Sequence, residues 1–127
     1  YGPKQISKGN MATVIGIFEE CLRKKKPLSV VRPGTQSRRF THIDDTINTC
    51  IEAWKKNKCS HYSISSKKSY TILDVAKMFN SKIVFLPRRK GERYSSALTN
   101  MNLTNAILKR VGKKDLKNYI KTFITTY

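Results

Sequence analysis

Gly34-Thr35-Gln36-Ser37-Arg38-Arg39-Phe40-Thr41-His42-Ile43-Asp44-Asp45 reads as a turn, a short strand with two adjacent arginines, and the start of a helix. Neighbouring strand residues point to opposite faces, so Arg38, Phe40 and His42 are expected on one side and Arg39, Thr41 and Ile43 on the other. A planar guanidinium on a rigid element suits a two-pronged grip on phosphate or carboxylate. The plain alternative is an edge strand carrying charges for solubility. Asp44 or Asp45 is expected to cap the helix that follows, and His42 to donate to backbone from a half-buried strand position.

Outward from this stretch, the chain alternates helical and extended patterns. Met11, Val14, Ile15, Phe18, Cys21 and Leu22 keep helical spacing after Asn10, a candidate N-cap, and Arg23-Lys24-Lys25-Lys26 then Pro27 end that helix. Leu28-Ser29-Val30-Val31 is a short strand. Ile47, Cys50, Ile51 and Trp54 form an apolar stripe on the second helix, and Trp54 is expected in the core. His61 to Ser65 alternates like a strand. Thr71 with Asp74 resembles a capping box for a third helix covered by Leu73, Ala76, Met78 and Phe79. Lys82 to Pro87 is a strand expected to be buried on both faces. Leu103, Ile107, Leu108 and Val111 mark a fourth helix ending at Gly112. Leu116, Tyr119, Ile120, Phe123 and Ile124 mark a fifth. The fold class is α+β, with about five helices and three or four short strands. So few strands do not cover their own faces, so they are expected to complete a sheet whose other strands lie elsewhere.

The 127 residues amount to one domain, and 26 Lys+Arg against 8 Asp+Glu give a net charge of +18. That excess points to acidic partners: nucleic acid, phosphorylated small molecules or an anionic surface. The abundance of Lys, Asn, Ile and Ser also fits a codon bias. Aromatics do not interleave with the basic residues as a stacking platform needs, which argues against nucleic acid. No apolar run reaches the length of a membrane span. Three cysteines, Cys21, Cys50 and Cys59, with His42 and His61, show no zinc spacing. They read as reduced thiols of a cytoplasmic protein, with Cys21 and Cys50 as small buried hydrophobes.

Three basic clusters sit in or beside turns: Lys4 and Lys8, Arg38-Arg39, and Arg88-Arg89-Lys90. Arg38 and Arg89 together would clamp a diphosphate. No glycine-rich phosphate loop and no nucleophile–base set accompany them. The chemistry of the residues alone is that of a binding module without catalytic residues.

Taken in order, Tyr1-Gly2-Pro3, Lys8-Gly9, Pro27 to Val31, Gly34 to Asp45, Tyr62 to Ser66, Thr71 to Ala76 and Arg89-Lys90-Gly91-Glu92 resemble the carboxy-terminal part of an extended short-chain dehydrogenase/reductase. The nearest type is the NAD-dependent nucleotide-sugar epimerase/dehydratase group, UDP-glucose 4-epimerase in particular. The resemblance implies a two-part enzyme. A Rossmann half binds NAD and carries a Tyr-x-x-x-Lys pair, and a smaller region binds the nucleotide-sugar. Residues 1–127 would be that single substrate-binding region, lacking the NAD site and inactive alone. Arg38 and Arg89 then correspond to the two diphosphate-binding arginines, Phe40 to the aromatic beside the first, Val31 and Ile72 to the base pocket, and Glu92 to an acidic position near the ribose. Lys8 corresponds to a loop lysine that, in the ADP-heptose 6-epimerase branch, serves as a second acid/base. Phosphate attraction or solvent exposure are its other readings. Arg39 departs from the pattern, standing where the group has Asp, and Lys90 stands where Pro is common. The implied partners are a nucleotide-sugar and the Rossmann half, with self-association through exposed apolar surface if the chain folds alone. The rival reading is a free-standing basic module that binds nucleic acid.

Overall fold

The computed structural model describes residues 1–58, 62, 64–91 and 102–127, with side chains from 106 onward in the last segment. Its elements are α1 (Val14–Arg23), β1 (Leu28–Val31), β2 (Ser37–Arg38), α2 (Ile43–Lys56), β3 (Tyr70–Thr71), α3 (Ile72–Met78), β4 (Ile83–Leu86), α4 (Asn102–Val111) and α5 (Leu116–Thr126). The expected α+β class stands. β1 pairs in parallel with β4, Leu28 opposite Ile83 and Val31 opposite Leu86, and β2 pairs antiparallel with β3.

Alternation on β1 decides where the core lies. Leu28 and Val30 are fully buried while Ser29 is exposed. Around them close Ile15 and Phe18 of α1, Val75 and Ala76 of α3 with Phe79 just beyond it, and Leu116 and Ile120 of α5. The Phe18 and Phe79 rings meet edge to face with centroids 5.6 Å apart, a favoured geometry for aromatic pairs.

α1 starts later than its apolar pattern implies. Thr13, not Asn10, is the N-cap, accepting from the Gly16 amide at 3.1 Å. The Thr13 amide is drawn to the Ile6 carbonyl at 2.9 Å, which turns residues 9–12 away from the helix and leaves Met11 exposed. A Cβ at position 16 would lie 2.6 Å from that same carbonyl, so only glycine lets the loop approach. The capping box on α3 forms as its sequence predicts, with the Thr71 hydroxyl accepting from Asp74 and the Asp74 carboxylate accepting from Thr71.

Three expectations are corrected. The apolar stripe of α2 faces outward: Ile47, Cys50 and Ile51 are exposed, and Trp54 is 80% exposed. The buried face of α2 is instead Asp45, Thr49 and Ala53, whose small side chains let α4 approach. The Arg110–Glu52 ion pair, 3.1 Å, spans the same two helices. Strand β4 is not covered on both faces, since Val84 and Phe85 are each about two-fifths exposed. Among the described residues β1 is its only strand partner. The expected strand at 61–65 is absent at its described residues, 62, 64 and 65, and the antiparallel partner of β2 is Tyr70–Thr71. His61 and Cys59 lie outside the described residues.

Candidate functional site

The carboxyl end of the β1–β4 pair gathers part of the expected site. In parallel sheets this end is where connecting loops build ligand sites. The chain leaves β1 through a turn in which Gly34 takes φ +81°, and a Cβ there would lie 3.0 Å from Val30 and 3.2 Å from Leu73. The Gly34 carbonyl accepts from the Leu73 amide at 3.0 Å, and the Gln36 carbonyl accepts from the Ile72 amide at 2.9 Å. The buried Gln36 side chain donates to the Val31 carbonyl at 3.3 Å, while its own Oε1 has no partner. These bonds knit the end of β1, the start of β2 and the first turn of α3 together.

Gln36 therefore links the backbone of Val31 to that of Ile72, two half-buried residues. Arg38 follows on β2, half-buried, with its guanidinium donating to the Ser37 carbonyl at 2.8 Å. Arg89 is exposed in the loop that leaves β4 from Leu86, the residue opposite Val31. Arg32 caps the same end, its guanidinium 5.5 Å from the Phe85 ring centroid.

The remaining expected residues fall elsewhere. Lys8 is exposed and ion-paired to Glu20 on α1 at 3.5 Å. Phe40 is half-buried, packs against the core and lines a cleft of about 310 Å³ on a different side. Glu92 lies outside the described residues.

The acidic pair and its histidine are rearranged relative to expectation. His42 is buried and is itself the N-cap of α2: its Nδ1 accepts from the Asp44 amide at 3.1 Å rather than donating to backbone. Asp44 sits exposed in the first turn, where a carboxylate favours the helix dipole. Asp45 is buried and turns away from its own helix, its two oxygens accepting from the amides of Lys113 and Lys114, each at 3.1 Å. Arg39, which the sequence left without a role, donates to the carbonyls of Ser66, at 3.0 Å, and Lys67. No local signal points to either of these long-range contacts. The substitution of Arg39 for the acidic residue usual in the resembled group was the only hint.

His42 also gives the fold a pH dependence. Burial lowers its pKa from 6.5, against the opposing pull of Asp44 and Asp45. A lowered folded-state pKa means the unfolded chain binds the proton first, so this stabilisation is complete above pH 6.5 and is lost as pH falls through the folded value. The unfolding temperature should fall between pH 7.5 and 5 more steeply than in His42→Asn, which caps without titrating. Parallel pH profiles for the two proteins would refute the assignment.

A second cavity, about 600 Å³, lies between the first loop, α1 and α5, lined by Lys4, Glu19, Arg23, His42, Tyr119 and Phe123 among others. Its walls are already committed. The Tyr119 hydroxyl donates to Glu19 at 2.7 Å; burial first, and then this bond, push that phenol's pKa well up. The Arg23 guanidinium lies 5.0 Å from the Phe123 ring. Among the described residues no group of His, Cys, Asp and Glu has the makings of a metal site, and no helix is long and apolar enough to cross a membrane.

A two-stranded parallel pair and a two-stranded antiparallel pair, flanked by helices, define a small α+β fold. Solved nucleotide-sugar epimerases contain the same fold. The UDP-glucuronic acid 4-epimerase of Bacillus cereus, solved with UDP-glucuronic acid and NAD, superposes on 99% of this chain with TM-score 0.75 at 22% identity. The UDP-glucose 4-epimerase of Thermotoga maritima, solved with UDP-glucose, superposes on 98% with TM-score 0.77 at 21% identity. In each case the chain spans 42% of the solved protein. By sequence, 80 residues, 61% of this chain, are 28% identical to the dTDP-L-rhamnose 4-epimerase of Burkholderia thailandensis and span 22% of its length. No family model matches the chain. The fold is thus that of one portion of the NAD-dependent nucleotide-sugar epimerases, in agreement with the resemblance carried by the sequence motifs.

Proposed function

We propose that residues 1–127 form the nucleotide-sugar-binding region of an NAD-dependent sugar epimerase, acting in a cytoplasmic protein. The observation that supports this most directly is the pair of Gln36 hydrogen bonds joining Val31 at the carboxyl end of β1 to Ile72 at the start of α3, with Arg38 two residues on and the Arg89 loop leaving β4 at Leu86, opposite Val31. Val31 and Ile72 would flank the base, and Arg38 and Arg89 would take the diphosphate. The neutral Gln36 amide, with a buried acceptor unused, would fix the turn that carries Arg38.

The chain's own residues do not fit NAD. It has no glycine-rich turn between a strand and a helix, the feature that cradles a dinucleotide pyrophosphate. NAD would supply reversible hydride transfer from a Rossmann half, and this region alone is proposed to be inactive. The outward face of α2 and the open face of β4 are the surfaces such a half would cover.

Calorimetric titration with UDP-glucose and UDP-glucuronic acid tests the reading. Arg38→Ala and Arg89→Ala should each weaken binding by about 1.5–3 kcal/mol, the worth of a hydrogen bond to a charged group. Undiminished affinity in both variants would remove the clamp. The alternative, a nucleic-acid module, predicts no response to UDP-sugars and steeply salt-dependent duplex binding.

A further inference from the structure

We propose that the cleft beside Phe40 is an oligophosphate-binding site, taking two or three consecutive phosphoryl groups. It lies between the 66–68 loop and the α4–α5 connection, and five lysines line it: Lys67 and Lys68 on one wall, Lys109, Lys113 and Lys114 on the other. It shares none of Val31, Ile72, Arg38 and Arg89, so it stands independently of the reading above.

Three observations carry the assignment. The first is charge. Each described Asp and Glu already has a partner: Glu19 holds Tyr119, Glu20 holds Lys24, Asp44 faces Lys114, Glu52 holds Arg110, Asp74 caps α3 and Asp115 holds Lys68. Two carboxylates, Asp45 and Asp115, line the cleft: Asp45 is spent on two backbone amides, and Asp115 pairs with Lys68 and caps α5. Lys67, Lys109 and Lys113 have no carboxylate partner among the described residues. Their charge calls for an anion from outside.

The second is construction. Both basic walls are pinned at the backbone by residues the nucleotide-sugar reading leaves unused. Arg39 holds the carbonyls of Ser66 and Lys67, and Asp45 holds the amides of Lys113 and Lys114. The Ser66 amide is held in turn by the Thr41 hydroxyl at 2.7 Å. Arg39 and Asp45 are positioning residues in this scheme: each holds the backbone that carries lysines of one wall.

The third is size. At about 310 Å³ the cleft is at the small end of ligand pockets. It fits a short phosphate chain and offers no exposed aromatic platform for successive bases, since Phe40 is half-buried against the core.

Inorganic tripolyphosphate is the probe, titrated into the full chain at 150 mM salt and followed calorimetrically. One saturable site is expected. Lys67→Ala with Lys109→Ala, both exposed and so harmless to folding, should raise its Kd at least tenfold. Lys26→Ala with Lys55→Ala, both exposed and outside the cleft, should change it less than twofold. Absence of saturation, or equal Kd for the lysine variant and the native chain, would overturn the proposal. So would loss of all saturable binding in Arg38→Ala with Arg89→Ala, which would move the anion to the β1–β4 end. Tighter binding of a single-stranded oligonucleotide than of tripolyphosphate, lost in the lysine variant, would overturn it in favour of a nucleic-acid surface.

Discussion

Phe18→Ala should destabilise the fold by about 3–5 kcal/mol, the usual cost of emptying a buried aromatic site. Phe18 has no solvent exposure. Its ring meets Phe79 edge to face, and Phe79 in turn meets Phe123 of α5 at 6.5 Å. The substitution therefore removes the ring that joins α1 to α3, and through it to α5. Neighbours cannot collapse into the gap, because Leu28 and Val30 are held in register by β4 and Val75 by its capped helix. Against a total stability of about 5–15 kcal/mol for a domain, this is a large fraction. Denaturant unfolding should show a lowered midpoint at an unchanged slope. A loss below about 1 kcal/mol would mean the site repacks and that the edge-to-face cluster is not the centre of this core.

Phe18 was also among the easiest residues to place from sequence, and the contrast with Trp54 shows why. Both lie on apolar stripes at helical spacing. Periodicity reports that a helix has two faces; it does not report which neighbour is present to cover the apolar one. α1 finds β1, α3 and α5 within the chain, whereas the Ile47–Trp54 stripe of α2 finds none among the described residues, and the helix instead turns Thr49 and Ala53 toward α4. Local rules held where the partner lay a few residues away, as in the Thr71–Asp74 box and the α4 end at Gly112, whose amide bonds the Leu108 carbonyl. They failed at Asn10, where a tertiary bond from Ile6 moved the helix start.

The site was legible to the same extent. Motif order assigned roles to Val31, Ile72 and Arg38; the hydrogen bonds of Gln36 link the backbones of the first two, and Arg38 follows on β2. Phe40 and Lys8 matched motifs equally well but face other surroundings, Phe40 because β2 ends at Arg38 and the strand alternation stops there. A two-residue strand such as β3 carries too little pattern to be read at all.

Asp45→Ala should cost about 1–3 kcal/mol, because two partly buried backbone amides lose a charged acceptor that water replaces only in part. From sequence Asp45 was one half of an acidic pair at a helix start, where either residue could cap. The structure divides the pair. His42 takes the cap, Asp44 takes the first-turn position, and Asp45 reaches the Lys113 and Lys114 amides, 68 and 69 residues away. Its removal therefore acts at a distance: α2 keeps its cap, while the α4–α5 connection loses its anchor. Hydrogen exchange should show this directly, with the Lys113 and Lys114 amides losing protection well before those of α2. Asp45→Asn is the sharper variant, since its single carbonyl oxygen can serve only one of the two amides and should recover about half of the loss. Equal protection at 113–114 in native and Asp45→Ala protein would show that the loop is held by its helices and not by the carboxylate. That result would also leave the lysine wall of the cleft without its brace, so the stability measurement and the tripolyphosphate titration bear on one structural claim from two sides.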